Sequence, residues 1–255
     1  MGNSVLQTIV EISLKILAAP LLIWQGLHVR KHALILPEPT GHRSGITVNH
    51  SNNAILRLLI VGDSAAAGVG ENTQDTALLG QLVAGLSEHF TVEWNLIARA
   101  GATTAATTKL LRDTRAKPYD AVVVSLGVND VTRQIPLQKW LNQTTIFLDL
   151  LTIKFAARRI YTVNLPPLGT FPVLPQPLRW IIGLRVKRFD AAMEKHQANR
   201  CEITRLSIDL KLDLTLLASD KYHPGPTLYA LWAKKITKAI LGDFLQDSDS
   251  KWQAD

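Results

Sequence analysis

The sequence predicts an α/β fold in which a parallel sheet carries helices on both faces. Short apolar runs rich in branched residues alternate along the chain with segments whose apolar residues recur at helical spacing. The apolar runs are continuous rather than alternating, as in strands that are buried on both faces. A chain of 255 residues with 47% hydrophobic residues is large enough for one such domain and an appendage.

Five segments are predicted to form strands and five to form helices. The strand candidates are 55–61, 91–98, 121–126, 159–164 and 202–206. The helix candidates are 78–86, 103–112, 135–151, 184–198 and the segment that follows His223. Because the strands are expected to run parallel, polar residues that directly follow them should meet at one edge of the sheet.

Composition divides the chain into four parts. We expect an apolar helical segment over 1–32, a linker over 33–54, the α/β domain over 55–245 and a polar tail over 246–255. The linker is predicted from Pro37, Pro39, Gly41 and Gly45, since prolines and glycines are typical of loops.

The apolar stretch 5–24 has two interpretations. Glu11 and Lys15 interrupt it, so it is less apolar than an ordinary membrane-spanning helix. No basic residue precedes it, which makes it a poor signal peptide. It is either a helix packed on the domain or an interfacial or marginally spanning anchor. We therefore expect the chain in the cytoplasm, or at the cytoplasmic membrane through this stretch.

The formal net charge is +7, and the densest basic cluster is His-Val-Arg-Lys-His over 28–32. This cluster follows directly on the apolar stretch, which indicates attraction to anionic lipid headgroups. No nucleic-acid recognition motif accompanies the charge, so no nucleic-acid partner is expected. The single cysteine, Cys201, excludes a disulfide framework and a thiolate metal cluster, and is compatible with a reducing compartment.

A serine between glycines follows the first predicted strand, in the run Gly-Asp-Ser-Ala-Ala-Ala-Gly over 62–68. The glycines allow a sharp turn, so Ser64 can project into a cleft at the edge of the sheet. The sequence lacks the lysine and hydroxyl of a phosphate-binding loop here, and it lacks the G-x-G-x-x-G fingerprint. By itself the run leaves Ser64 as either a nucleophile or an ordinary turn residue.

Two further strand ends carry candidate oxyanion donors. Gly101 follows the second predicted strand, and its N–H can approach a ligand closely because no side chain intervenes. The neighbouring Thr103 or Thr104 could equally be a cap of the next helix. Asn129 follows the third strand, and its amide is a neutral donor that can stabilise an oxyanion. A helix cap is again the alternative, with Asp130 the better candidate of the two.

The last candidate pair is Asp220 and His223, in Ser-Asp-Lys-Tyr-His-Pro-Gly over 219–225. Pro224 and Gly225 keep this segment out of helix until the last predicted helix begins. At this spacing the carboxylate can accept a hydrogen bond from Nδ1, which leaves Nε2 to act as a base toward a serine. None of the other six histidines has an acid placed in this way.

The set Ser64, Gly101, Asn129 and His223, in this order, resembles the four motif blocks of the SGNH (GDSL-like) hydrolases. The resemblance covers roughly 56–241, and the G-D-S, G-x-N-D and D-x-x-H-P blocks are intact. The glycine block departs from the pattern, because Arg-Ala precedes Gly101 where many members carry an asparagine shortly upstream. The resemblance implies a flavodoxin-like three-layer α/β/α fold of about five parallel strands, to which this chain adds the apolar N-terminal segment.

The resemblance also implies hydrolysis of esters or thioesters without metal or cofactor. Ser64 would attack the acyl carbon, His223 would take its proton, and Asp220 would orient His223. The backbone N–H groups of Ser64 and Gly101 and the side chain of Asn129 would hold the oxyanion. The expected partner is a small-molecule or lipid ester, with a membrane surface as a further candidate, and the oligomeric state is left open.

The proline-rich run 165–182 follows the fourth predicted strand. It is either an acyl-chain wall or membrane-facing rim of the site, or a loop that covers the core. If it lines the site, a serine esterase for aliphatic carboxylic esters is favoured over one for sugar acetates. The alternatives left open are a carbohydrate or peptidoglycan O-acetylesterase, a thioesterase, a membrane-associated binding protein and a nucleotide-binding α/β protein.

Overall fold

A six-stranded sheet forms the centre of the computed structural model, which describes residues 19–51, 54–208 and 213–251. Its strands are β1 (Ser44–Thr47), β2 (Ile55–Gly62), β3 (Thr91–Ala98), β4 (Ala121–Ser125), β5 (Arg159–Val163) and β6 (Ile203–Leu206). The strand order is β1-β3-β2-β4-β5-β6. Strands β2 to β6 pair in parallel, which confirms the predicted parallel α/β sheet.

Helices cover both faces of this sheet, as predicted. They are α1 (19–32), α2 (Ser64–Ala67), α3 (Leu78–Ser87), α4 (Thr104–Asp113), α5 (Val128–Thr132), α6 (Leu137–Lys154), α7 (Leu178–Gln197) and α8 (Pro226–Lys251). Leu58 and Ile60 of β2 belong to the core cluster that contains α3 and α8. Leu59 and Val61, which point to the opposite face, belong to the cluster that contains α4 and α6.

The segment 33–54, expected as a linker, contains the edge strand β1. This strand runs antiparallel to β3, with Ser44 opposite Asn95 and Thr47 opposite Val92. Four residues at the edge of a sheet carry little strand signal in the sequence, because their pairing partner lies far along the chain. The segment therefore adds a sixth strand to the five that were predicted.

Both chain ends differ in part from the sequence-based division. Residues 1–18, which hold most of the apolar stretch 5–24 together with Glu11 and Lys15, lie outside the described residues. The visible helix α1 packs on the domain through Val29. Within 19–51, 54–208 and 213–251, no helix has both the length and the apolar character needed to cross a membrane. At the other end, α8 continues to Lys251, into the predicted polar tail.

The carboxyl ends of β2, β3 and β4 lie side by side. Gly62 of β2 is level with Ala98 of β3 and with Ser125 of β4. A side chain at position 62 would collide with the Ser125 carbonyl oxygen, only 1.9 Å from where its Cβ would lie, so glycine is required there. Residues that follow these three strands are thereby brought to one edge of the sheet.

Candidate active site

Ser64 is the first residue of the short helix α2. The preceding residue, Asp63, caps the helix, since its carboxylate accepts a hydrogen bond from the Ala65 N–H at 3.2 Å. The helix ends after four residues at Gly68, which has a left-handed backbone with φ of 92°. This strand-turn-helix places the Ser64 hydroxyl above the carboxyl edge of the sheet.

The loop that carries Asp220 and His223 is held by its own hydrogen bonds. Oδ1 of Asp220 accepts from the backbone N–H groups of Tyr222 and His223, both at 3.0 Å. The Ala218 N–H donates to the His223 carbonyl at 2.8 Å, which closes the loop at its base. The D-x-x-H spacing thus produces a compact turn that points both side chains in one direction.

Ser64, His223 and Asp220 form one continuous chain of hydrogen bonds. Nδ1 of His223 lies 2.5 Å from Oδ2 of Asp220, and Nε2 of His223 lies 2.9 Å from Oγ of Ser64. A carboxylate can only accept from Nδ1, so the neutral imidazole has Nε2 free to accept the Ser64 proton. The structure therefore brings together three residues that are up to 159 positions apart in the sequence.

The environment of Asp220 favours its charged form. Burial by itself would raise the pKa of Asp220, but the hydrogen bonds from the His223 side chain and from two backbone N–H groups outweigh it. The pKa of this carboxyl is therefore below its ordinary value. An ionised carboxylate at this position can hold the imidazole and balance a positive charge that develops on it.

Gly101 lies in the turn after β3. Its φ is 74°, and the space where a Cβ would lie is open apart from the Arg133 side chain at 3.6 Å. That side chain donates to the Gly101 carbonyl at 2.8 Å. The adjacent Ala100 N–H donates to the Glu38 carboxylate at 2.6 Å. In the described part of the chain, the N–H groups of Ser64 and Gly101 have no internal acceptor.

Glu38 and Arg133 are site residues that the sequence did not indicate. Glu38 lies in the segment expected to be a linker, and Arg43 binds it through an ion pair of 2.8 Å. Arg43 also donates to the Ala98 carbonyl at the end of β3. The turn that presents Gly101 is therefore fixed from two directions, by α5 through Arg133 and by the N-terminal segment through Glu38.

Asn129 contacts the residue next to Ser64 rather than capping its own helix, which begins at Val128 with Gly127 at the cap position. Its Nδ2 donates to the Ala102 carbonyl at 3.0 Å and lies 3.3 Å from Oδ2 of Asp63. The predicted cap, Asp130, accepts from the N–H and hydroxyl of Thr104, so it satisfies the start of α4 instead of α5. Asn129 thus links the second and third strand ends to the turn of Ser64.

Asp63 is a buried carboxyl directly beside the candidate nucleophile. Burial raises its pKa to about 7, and the hydrogen bonds from Ala65 and Asn129 offset this only in part. The side chain is 3% exposed. Sequence reasoning named Asp63 as part of the Ser64 motif and gave it no role, because nothing in the sequence shows that it is buried.

An apolar cleft with a volume of about 40 Å³ opens beside Ser64 and His223. Its apolar lining comes from four parts of the chain and consists of Ala65, Val128, Pro166, Leu168, Phe171, Leu217, Pro224, Leu228 and Trp232. The proline-rich run 165–182 therefore borders the site. Tyr222 packs edge-on against both Phe171 and His223, at 5.7 and 5.2 Å between ring centroids, and so joins this run to the loop that carries His223.

Comparison with known proteins is consistent with this geometry. The model of the GDSL-like lipase/acylhydrolase family matches residues 60–231, more than half of the chain. The chain belongs to this family. The GDSL-like hydrolase is accordingly an SGNH-type esterase, an enzyme that acts on ester bonds. No curated protein matches its sequence.

Several solved structures share the fold of this GDSL-like hydrolase at low sequence identity. An esterase, EstA from Pseudoalteromonas sp., is 18% identical with a TM-score of 0.55, covering 78% of this chain and 99% of its own. A member of the lipolytic G-D-S-L family from Veillonella parvula is 13% identical with a TM-score of 0.57, covering 72% and 97%. The acetylxylan esterase Axe2 from Geobacillus stearothermophilus is 15% identical with a TM-score of 0.53, covering 74% and 95%.

Proposed function

We propose that this GDSL-like hydrolase cleaves carboxylic esters of aliphatic acids through an acyl-enzyme formed on Ser64. The observation that carries the proposal is the chain of hydrogen bonds from Ser64 through His223 to Asp220, with distances of 2.9 and 2.5 Å. A serine hydroxyl is a weak nucleophile until a base takes its proton, and this arrangement supplies the base and the group that orients it.

In the first half of the reaction, Oγ of Ser64 forms a bond to the acyl carbon while Nε2 of His223 accepts its proton. The carbonyl electron pair moves onto the oxygen to give a tetrahedral oxyanion. When this intermediate collapses, the bond to the alcohol oxygen breaks and the imidazolium returns its proton to the leaving alcohol. The carboxylate of Asp220 stabilises the imidazolium throughout.

The oxyanion would be held by the N–H groups of Ser64 and Gly101 and by Nδ2 of Asn129. Two features support this assignment: both backbone N–H groups lack an internal acceptor among the described residues, and Asn129 is fixed beside them by the Ala102 carbonyl. The longer contact of Nδ2, 3.3 Å to Asp63, leaves one N–H that can turn to the substrate. Preorganised donors of this kind lower the barrier by roughly 3 kcal/mol each.

In the second half, water attacks the acyl-enzyme. Nε2 of His223 takes a proton from the water as the new carbon–oxygen bond forms, and it gives that proton to Oγ of Ser64 as the acyl–serine bond breaks. The carboxylic acid leaves, and the resting arrangement of Ser64, His223 and Asp220 is restored. The proton transfers between Ser64 and His223 use groups already in hydrogen-bond contact.

Aliphatic acyl groups are the proposed substrates because the cleft beside Ser64 is lined mainly by apolar side chains. A volume of about 40 Å³ holds roughly three water-sized groups, enough for the first carbons of an acyl chain. Longer chains would extend over the apolar run 165–182. A cleft this small also suits an acetyl group, so an O-acetylesterase is the second candidate.

The test is hydrolysis of p-nitrophenyl esters from acetate to palmitate by the wild-type chain and by Ser64→Ala. We expect Ser64→Ala to lower kcat by a factor on the order of 10⁴ or more, because the nucleophile is lost. The matched control is Ser219→Ala, an exposed serine in the His223 loop, which should retain full activity. Labelling by a fluorophosphonate should likewise require Ser64.

The chain-length profile separates the two candidates. A maximum at propionate or longer supports aliphatic esters, whereas activity confined to acetate supports the O-acetylesterase. A folded Ser64→Ala variant with undiminished activity would contradict the serine mechanism.

A further inference from the structure

Helix α1 presents an unusually apolar outer face to solvent. Ile23, Trp24 and Leu27 are 63%, 60% and 63% exposed, and Leu21 is also exposed. Trp180, at the start of α7, is a fifth exposed large apolar residue. We call these five residues the apolar patch. Single exposed apolar side chains are ordinary, but four within seven residues of one helix form a continuous surface of the kind that marks an interaction site.

The inner face of α1 is fixed to the end of the proline-rich run 165–182. Gln25 is buried, and its Nε2 donates to the Gln176 carbonyl at 2.6 Å. Its Oε1 accepts from the Leu178 N–H at 3.2 Å. These contacts join α1 to the end of the same proline-rich run whose earlier residues line the cleft. The contacts hold α1 against residues 176 and 178, a short distance along the chain from Phe171, which lines the cleft, and from Trp180 of the patch.

A basic cluster adjoins the patch along the helix. His28, Arg30, Lys31 and His32 are all exposed in the last turns of α1. The rings of Trp24 and His28 are stacked, with centroids 5.2 Å apart, so the apolar and basic parts of the surface are in direct contact. An apolar face with tryptophan and an adjacent cluster of cations is the composition that binds the interface of an anionic bilayer.

We propose that the apolar patch and the basic cluster bind this enzyme to the surface of an anionic lipid bilayer. Trp24 and Trp180 enter the headgroup region, and Arg30 and Lys31 contact lipid phosphates. The cleft then opens beside the membrane, where it takes amphiphilic esters from the interface. This inference rests on the proposed esterase activity for its substrate, but the binding itself does not require Ser64.

Charge favours a membrane over a second copy of the chain as the occupant. A symmetric dimer built on the patch would pair like surfaces, and residues 19–32 of α1 contain no acidic residue that could match the basic cluster of the other copy. An anionic bilayer instead offers apolar contact and opposite charge together. The whole chain also has an excess of basic groups, with 28 Lys and Arg against 21 Asp and Glu.

The experiment is co-sedimentation of the full chain with vesicles of phosphatidylcholine alone and of phosphatidylcholine with phosphatidylglycerol. Wild type should bind the anionic vesicles at least about tenfold more tightly than the neutral ones at low salt, and salt should weaken the binding. The triple variant Ile23→Ser, Trp24→Ser, Leu27→Ser and the double variant Arg30→Glu, Lys31→Glu should each lose most of the binding.

Matched controls use exposed positions on other helices. Ile153→Ser on α6 replaces a side chain that is 83% exposed, and Lys109→Glu with Arg112→Glu repeats the charge change on α4. Both controls should bind anionic vesicles like wild type. All these variants should hydrolyse a water-soluble ester at the wild-type rate, which shows that they are folded. Ser64→Ala should bind vesicles normally, so failure of binding and failure of esterase activity are separate results.

Three results would overturn the proposal. The first is an absence of preference for anionic vesicles. The second is binding that survives the patch and cluster substitutions, which would assign attachment to residues before 19. The third is a concentration-dependent dimer in sedimentation that the patch substitutions abolish, which would make the patch a contact between copies of the chain.

Discussion

Two carboxyl groups lie close to Ser64, and the fold shifts their pKa values in opposite directions. Asp220 is buried, yet its pKa is lowered because His223 and two backbone N–H groups hydrogen-bond its charged form. Asp63 is more deeply buried and receives fewer donors, so burial dominates and raises its pKa to about 7. Asp220 accepts hydrogen bonds from two backbone N–H groups, whereas Asp63 accepts one, from Ala65.

Such a difference assigns different roles to two chemically identical groups. Asp220 remains charged and can stabilise an imidazolium. Asp63 can be neutral near pH 7, and it lies between Ser64 and Asn129, where a full negative charge would oppose an oxyanion. We therefore expect substitution of Asp220 to lower the rate most. Substitution of Asp63 should mainly change how the free energy of unfolding depends on pH.

The largest effect is expected for Asp220→Asn. The amide oxygen can still accept from the Tyr222 and His223 N–H groups, so the loop should retain its shape. The amide nitrogen cannot accept from Nδ1, however, and the imidazole would be held in the wrong tautomer. We expect kcat on a soluble ester to fall by roughly 10⁴-fold. Asp213→Asn, an exposed carboxylate that hydrogen-bonds Thr215, serves as the control and should be fully active. A loss below about tenfold would contradict the role of Asp220.

A smaller loss is expected for Asn129→Ala, which removes one proposed oxyanion donor. The rate constant kcat should fall by about 10²- to 10³-fold with little change in KM, since the donor acts mainly in the transition state. The control Asn142→Ala changes an exposed asparagine on α6. If Asn129→Ala instead raised KM alone, its side chain would bind the ground state of the substrate, and it would not belong to the oxyanion hole.

The smallest effect on rate and the clearest effect on stability are expected for Asp63→Asn. Because the folded-state pKa is raised, the contribution of Asp63 to stability is complete below about pH 4 and is lost as pH rises through about 7. Raising the pKa of Asp63 from 3.8 to about 7 corresponds to a change of about 4 kcal/mol in the free energy of unfolding across this pH range. The asparagine variant does not titrate, so its free energy of unfolding relative to wild type should increase with pH across this window.

Urea unfolding at a series of pH values from about 4 to about 8 measures this difference. Asp113→Asn, the same change at an exposed carboxyl, provides the baseline. Parallel curves for wild type and Asp63→Asn would show that Asp63 titrates in the folded state as it does in the unfolded chain. That result would remove the contrast with Asp220.

The set of local motifs, and not any one of them, indicated that Ser64, Asp220 and His223 would lie together. The D-x-x-H loop and the glycine-flanked serine each depend on residues that are close in sequence, and the parallel sheet brings them to one edge. The functions of Asn129 and Asp130 were undecided, because both are good helix caps. The structure shows that Asn129 reaches Ala102, whereas Asp130 caps α4.

Contacts between distant segments were beyond sequence reasoning. Glu38 binds Ala100, and β1 pairs with β3, across separations that no local pattern reports. The burial of Asp63 depends on the packing around the turn of Ser64 rather than on the residues beside it in sequence. The same holds for Gln25, a polar residue in an apolar helix whose partners lie about 150 positions away.

The edge strand β1 has a consequence for any shortened form of this enzyme. A fragment that starts with β2 would keep every family motif, yet it would lack β1, Glu38 and Arg43. The outer edge of β3 would then present unpaired N–H and C=O groups, which invite pairing with another molecule. The Ala100 N–H next to Gly101 would also lose its carboxylate partner. A fragment that keeps these contacts therefore begins before residue 38, well ahead of residue 60, where the match to the family begins.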